Sequence, residues 1–365
     1  MCEGIMEAVS QIYHHIEDEE SRDIFKDRVM LSITGDWKYA GRIVKKYLRG
    51  YKSDKIFTGV SDSIESLTLD KDSSYIIYGA GRYGEDVFRV LKKIGVPAAA
   101  FCDQAVEKQN TTLLGLPVLS PKDLKHRDDK ILVAVWNHFE EIAKALKLQG
   151  IPGERLIDAF SIKEYTDKTQ YFDKDIIHFG NEEIFVDCGC YDFETSEIFI
   201  QNCPEYKKII CFEPDEKNRI QIQKRVRKLS AERVEVLPYG VWNKNEALYF
   251  GGEGSSAMIS SRGKERIEAR RLDDIIQERI TFIKMDVEGA EQNALEGAAE
   301  TIRRYRPKLA VSIYHKPEDI LEIPFYLLKL VPEYRFFLRH YSNYFATETV
   351  LYAVLQRSSL RENEI

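Results

Sequence analysis

Ile184-Phe-Val-Asp-Cys-Gly-Cys-Tyr-Asp-Phe-Glu-Thr-Ser196, followed by Lys208-Ile-Ile-Cys-Phe-Glu-Pro214, is the stretch that decides the fold. Two short apolar runs are each bounded by turn residues, and each ends in a carboxylate: Asp187 on the first, Glu213 on the second. Continuous apolar runs mark strands buried on both faces. Such parallel strands need a crossover, here a helix over about residues 194–203. Ligands of an open parallel sheet bind outside the carboxyl ends of its strands, so Asp187 and Glu213 are expected to share one crevice. Gly189 allows close backbone approach to a ligand. A carboxylate ending the second strand suits the two hydroxyls of a ribose.

Downstream, the same alternation continues. A helix over about 215–229 precedes a third strand, Val234 to Leu237, and the loop Pro238-Tyr-Gly-Val-Trp242 should face the ligand. Residues 246–262 read as a hairpin insertion with a Gly/Ser tip, either a lid or a plain surface hairpin. Thr281 to Asp286 is the fourth strand, and Glu288-Gly289 opens a helix running to about Tyr305. Lys308 to Tyr314 is the fifth strand, ending in His315-Lys316, and a helix follows over about 317–330. Tyr334 to Tyr341 and Glu348 to Leu355 close the sheet as a final pair, and residues 357–365 are expected to form a disordered tail.

Val186-Asp-Cys-Gly-Cys-Tyr-Asp-Phe-Glu-Thr195, Phe212-Glu-Pro214 and Ile283-Lys-Met-Asp-Val-Glu-Gly-Ala-Glu291 together resemble the FkbM-type S-adenosylmethionine-dependent methyltransferases. Gly297 and Ser312-Ile-Tyr-His-Lys-Pro-Glu-Asp319 fit the same pattern, and the resemblance covers roughly residues 170–356. It implies an α/β class I methyltransferase sheet of seven strands, Rossmann-like, whose last pair is a hairpin. It also implies S-adenosylmethionine as cofactor and a hydroxyl acceptor on a sugar, polyketide or glycan precursor. The expected cofactor contacts are Asp187, Gly189, Cys190, Tyr191, Glu213, Pro214, Gly240 and Asp286. One departure stands out: Phe193 occupies the place where such enzymes usually carry a second glycine.

A second unit lies upstream, over residues 71–160. Tyr75-Ile-Ile-Tyr-Gly-Ala-Gly-Arg-Tyr-Gly84 is a strand running into Gly-x-Gly-x-x-Gly, followed by an amphipathic helix carrying Val87, Leu91 and Ile94. Val96 to Phe101 is the next strand, and Asp103 falls 19 residues beyond Gly84. That context makes the glycine loop a nucleotide-binding candidate. Leu116-Pro-Val-Leu-Ser-Pro introduces a helix, Ile131 to Trp136 is another strand, and a helix over about 138–149 leads to the unit's close near Asp158. The unit resembles the nucleotide-sugar-binding modules attached to sugar-modifying enzymes, which would make Gly79, Gly81, Arg82, Tyr83 and Asp103 substrate contacts. The bland alternative is that the glycines only pack helix on strand.

Residues 1–70 carry apolar residues at helical spacing (Ile12, Ile16, Ile24, Val29, Ile43, Val44), broken at Gly35-Asp36, and read as a helical extension. Residues 161–180 read as a polar, tyrosine-containing linker, leaving 181–356 for the methyltransferase domain. At 365 residues the chain accommodates this organisation. A net charge of −7 argues against nucleic acid or an anionic membrane held by bulk charge. No apolar run is long enough to span a bilayer, and the N-terminus lacks a signal peptide's basic start. The six cysteines are scattered and read as reduced, so a cytoplasmic location is expected, with self-association compatible. Cys188-x-Cys190 lacks a partner pair at zinc spacing and is not a metal site.

The groups able to assist methyl transfer sit after the fourth and fifth strands: Asp286, Glu288 and His315. His315 is the expected general base, because imidazole titrates near neutrality. Asp286 and Glu288 would orient it, bind a sugar hydroxyl, or hold a divalent ion through oxygen, although no third carboxylate or Asn is evident beside them. Glu291 and Glu296 read as surface or capping groups and His340 as structural. Two other classes compete. A nicotinamide-dependent sugar-nucleotide oxidoreductase or epimerase would use the Gly79–Gly84 loop, but no Tyr-x-x-x-Lys dyad follows it. A catalytically silent glycan-binding protein is the other, supported by Phe193. The expectation is an enzyme: an O-methyltransferase acting on a saccharide, nucleotide-sugar or glycan precursor.

Overall fold

The computed structural model describes residues 2–36, 38–51, 60–136, 138–160, 165–251, 258–259, 265–344 and 347–355. They form two compact units, one from the described residues of 1–52, 166–342 and 346–365, the other from those of 53–165 and 343–345. The expected single extension over 1–70 is therefore divided. Helices α1 (Cys2–His15), α2 (Glu19–Thr34) and α3 (Lys38–Tyr47) belong to the first unit, whose core buries their stripe of Ile12, Ile16, Ile24, Phe25 and Ile43. Helix α4 (Val60–Glu65) belongs to the second, through Ile64. Asp18 caps α2 by accepting the Ser21 N–H at 2.7 Å, and Gly35 ends it at φ 65°.

The second unit continues with β1 (Tyr75–Tyr78), α5 (Arg82–Ile94), β2 (Ala98–Cys102), β3 (Thr112–Leu113), β4 (Leu116–Leu119), β5 (Lys130–Val133), α6 (Phe139–Leu148) and β6 (Leu156–Asp158). Its sheet runs β3-β4-β2-β1-β5-β6, parallel except for the β3–β4 pair. A short 3-10 turn over Pro121–His126 follows Ser120, where a helix is expected. The glycine loop is as tight as its sequence requires. A Cβ on Gly84 would stand 1.8 Å from the Gly79 carbonyl oxygen, whereas one on Gly81 would meet nothing within 4 Å.

In the first unit the chain resumes with β7 (Ile184–Cys188), α7 (Glu194–Asn202), β8 (Lys208–Phe212), α8 (Glu216–Lys228) and β9 (Val234–Leu237). Then come β10 (Gly240–Val241), β11 (Glu246–Gly251), β12 (Met258–Ile259), β13 (Glu265–Arg270), α9 (Leu272–Ile275) and β14 (Phe282–Met285). It closes with α10 (Glu291–Gly297), α11 (Ala299–Tyr305), β15 (Lys308–Ser312), α12 (Asp319–Leu330), β16 (Tyr334–His340) and β17 (Thr349–Leu355). Among the described residues the main sheet has seven strands in the order β16-β17-β15-β14-β7-β8-β9, with β17 antiparallel to both its neighbours. Successive residues of each strand point to opposite faces. Thus Val186, Ile210 and Ile283 enter one core with α1, α2 and α12, while Phe185, Ile209 and Phe282 enter the other with Phe199 of α7 and Ile222 of α8.

Two expectations change here. The insertion at 246–262 is not a simple hairpin: β11 pairs chiefly with β13, and only Phe250 and Gly251 pair with β12. Its Gly/Ser tip lies outside the described residues, as does the tail at 357–365. Residues 166–180 are not a polar linker either, because Tyr171, Phe172, Ile176 and Ile177 are buried in the second core. Strand β16, at the sheet's edge, is covered by the N-terminal helices. The Glu17 N–H donates to the Phe336 carbonyl at 3.1 Å, and the Leu338 N–H donates to Ser21 Oγ at 2.8 Å. The buried Arg339 guanidinium donates to Asp18 at 2.7 Å and lies 3.3 Å from Asp173.

Candidate active site

At the carboxyl ends of β7, β8 and β14 lies a cleft of about 520 Å³. Gly189, Cys190 and Tyr191 line it from the loop after β7, Glu213 and Pro214 from the end of β8, and Gly240 from β10. Asp286 and Glu288 face it from the loop after β14. A Cβ on Gly189 would stand 1.9 Å from the Asp286 carbonyl oxygen, so this glycine serves the approach of two loops. Glu213 is 5% exposed and held rigidly. Its Oε2 accepts the Tyr191 N–H at 2.9 Å, and its Oε1 accepts the Asp215 N–H at 2.9 Å and Asn218 Nδ2 at 3.3 Å. Burial raises its pKa above the usual glutamate range against the pull of these donors.

Asp187 does not line this cleft. It is fully buried one step inside β7, where Ser196 Oγ donates to it at 2.7 Å and Lys284 Nζ lies 3.1 Å away. The expected sharing of one crevice by Asp187 and Glu213 is thereby corrected: a buried carboxylate needs its own partners, and Asp187 has taken two. Lys284, which the sequence reading passed over, lines the cleft from β14. Its Nζ donates to the Gly189 carbonyl at 2.7 Å and lies 5.4 Å above the centre of the Tyr171 ring. Burial would strip its proton, but Asp187 and Asp286 outweigh that and hold it as ammonium. Phe193 takes a glycine-like φ of 77° at the start of α7 with its ring wholly buried. Asp187, Cys190 and Cys211 bring ligand-type atoms together, yet burial raises the Cys190 thiol well above its ordinary pKa and Asp187 is paired.

Opposite Glu213, at the end of β14, the structure assembles the three residues expected after strands four and five. His315 Nε2 lies 3.6 Å from Asp286 Oδ1 and 3.4 Å from Glu288 Oε2. Its Nδ1 lies 3.0 Å from Glu291 Oε1. Tyr171 donates to Asp286 Oδ2 at 2.8 Å, and Tyr314 to Oδ1 at 3.3 Å. Glu291 is not a surface group: it is 0% exposed, and its Oε1 also accepts the Val287 N–H at 2.9 Å. That bond fixes a loop whose Glu288 and Gly289 both take positive φ, 53° and 87°. Burial lowers the pKa of His315, but Glu288, Glu291 and Asp286 outweigh it and lift it to about 10. The three carboxylates therefore favour the protonated imidazole, which argues against His315 as a neutral base. His340, as expected, is structural, with Nδ1 2.9 Å from Thr349 Oγ1.

In the other unit Asp103 does reach the glycine loop. Its Oδ2 accepts the Ala80 N–H at 2.8 Å and Lys108 Nζ at 3.2 Å, and its Oδ1 accepts the Ala105 N–H at 2.9 Å. The carboxylate therefore ties the loop to β2. Tyr83, 44% exposed, stacks on Trp136 with ring centres 5.9 Å apart. Arg82 and Tyr83 open α5, whose N-cap is Gly81.

Residues 187–341 match the family described as Methyltransferase FkbM domain, and residues 71–157 match one described as C2185-like, N-terminal. The 2-O-methyltransferase NoeI of Sinorhizobium fredii is 26% identical over 151 residues, covering 34% of this chain and 61% of that protein. The chain therefore spans about three fifths of that relative's length. A crystal structure of methyltransferase FkbM from Methylobacillus flagellatus is 21% identical, with a TM-score of 0.50, covering 89% of this chain and all of that one. That likeness is one of fold. No helix among the described residues is long and apolar enough to cross a membrane.

Proposed function

We propose, from the premise that residues 187–341 are an FkbM-type methyltransferase domain, that this chain methylates a hydroxyl of a saccharide or glycan precursor using S-adenosylmethionine. The observation that carries the reading is Glu213. It is a buried carboxylate at the end of the second strand, pre-oriented by two backbone N–H groups and Asn218, on the wall of a cleft large enough for a nucleoside. Its remaining acceptor capacity suits a ribose diol, with Gly189, Cys190, Tyr191, Pro214 and Gly240 as neighbouring walls. S-adenosylmethionine supplies an electrophilic methyl group on a sulfonium.

The chain's own residues then have to orient the acceptor and accept its proton. Asp286 is engaged by the Tyr171 and Tyr314 hydroxyls, which fix its direction. Glu288, facing the same cleft and paired with His315, is the carboxylate we assign to receive the acceptor proton. Lys284 acts at a remove, neutralising Asp187 and holding the Gly189 carbonyl. The cleft carries the carboxylates Asp286, Glu288 and Glu348, which accept hydrogen bonds from hydroxyls, together with Lys168 and Lys284. This favours a hydroxylated acceptor, and the relative's name, a 2-O-methyltransferase, supports O-methylation. Gly79, Gly81, Arg82, Tyr83 and Asp103 form a second candidate contact set, for a nucleotide-linked sugar. Its support is the open space beside Gly81 at the start of α5.

Calorimetric titration of S-adenosylmethionine into wild type and Glu213→Ala tests the reading. Two charge-assisted hydrogen bonds at about 1.5–3 kcal/mol each predict weakening of a hundredfold or more. Thermal unfolding checks that the variant keeps its fold. Failure of the wild type to bind would overturn the assignment.

A further inference from the structure

We propose that Asp286, Glu288 and His315 form a binding site for one divalent cation of the Mn²⁺ class. The three offer Oδ1, Oε2 and Nε2 as ligand atoms, all within 4.8 Å of one another. The His315 Nε2 distances of 3.4 and 3.6 Å are longer than the 2.7–2.9 Å of a charge-assisted hydrogen bond. Closing by a few tenths of an ångström would bring these atoms to the separation of two ligands that share an ion at about 2.1 Å from each. His315 is nine-tenths buried, and its Nε2 lies within ion-pair distance of both carboxylates.

The surroundings are those of a ligand histidine. Glu291, wholly buried, lies 3.0 Å from the opposite ring nitrogen, in the place that carboxylates take behind metal-binding imidazoles. Its Oε2 has no hydrogen-bond partner. Tyr171 holds Asp286 by its other oxygen, Oδ2, while Tyr314 shares Oδ1 at 3.3 Å. Charge points the same way. Asp286, Glu288 and Glu291 bring three carboxylates to one imidazole, and a bound ion takes the place of the proton that the imidazole must give up. One imidazole with two carboxylates suits Mn²⁺, Fe²⁺ or Zn²⁺ better than Ca²⁺. Asp286 and Glu288 both face the cleft, so an ion there stands where an acceptor hydroxyl can reach it. The site's existence does not depend on the methyltransferase reading, since binding is measured without cofactor or acceptor.

The test is an electron paramagnetic resonance titration of Mn²⁺ into chelator-treated protein. The expected result is loss of the free-ion signal with one site per chain and a rise in unfolding temperature on adding Mn²⁺. Glu288→Gln and His315→Gln should each weaken binding by about tenfold or more, whereas Glu296→Gln should leave it unchanged. Two variants guard against one failing to fold. Absence of Mn²⁺ binding by the wild type, or equal binding by both site variants, overturns the proposal.

Discussion

Lys284 carries its charge on a strand whose other residues, Phe282, Ile283 and Met285, are wholly buried. It lies directly opposite Asp187 in the parallel register of β14 and β7. Removing one member of a buried pair leaves the other charged and unpaired, so Lys284→Met should cost about 3–5 kcal/mol of stability. Adding Asp187→Asn should recover much of that loss in urea unfolding at neutral pH, because the stranded charge goes with it. No local pattern announces this pair: a lysine in a short strand reads as a solvated edge until the register sets it against Asp187. Glu213 was legible because a carboxylate at a strand's end needs only the strand to be placed. Phe193 keeps a backbone that a glycine would adopt freely. A bulky residue pays about 1–2 kcal/mol for a left-handed backbone, but its ring is buried among Phe199, Cys190 and Tyr206, which offsets that cost.

The strands and crossover helices of the main sheet follow from apolar runs and turn residues, and each expected strand is present, displaced by a residue or two. The segment around Tyr171 to Ile177 has neither a period of two nor of 3.6, so its burial is set by the sheet it packs on, not by itself. The same holds for Glu291, whose carboxylate turns back onto the loop preceding its own helix. Helix α2 offers a measurable case. Ser21 Oγ accepts both the Leu338 N–H and Arg339 Nη1 in a buried setting. Ser21→Ala should therefore cost about 1–3 kcal/mol, the penalty for stranding a buried donor, as read by chemical unfolding. The same change at Ser32, exposed on the same helix, should be near neutral.

For the molecule as a whole, acid is the informative stress. His340 is 4% exposed, and burial, reinforced by the Arg28 guanidinium, pushes its pKa down to about 3. Its neutral form belongs to the fold, while the unfolded chain takes up a proton near pH 6.5. Stability contributed above that value is lost as pH falls toward 3, at about 1.4 kcal/mol per unit. Chemical unfolding between pH 7.5 and 4.5 should show this slope, and His340→Asn should be flatter over the same range.

The cover on strand β16 also orders events in time. Ser21 and Leu338 are 317 positions apart. At about 5–20 residues per second, a ribosome needs roughly 15–60 s to make the strand that α2 awaits. Until then the apolar stripe of the first helices has no sheet to rest on. During synthesis the stripe of these helices thus stays uncovered until β16 has been made, and faster translation between the two shortens that exposure.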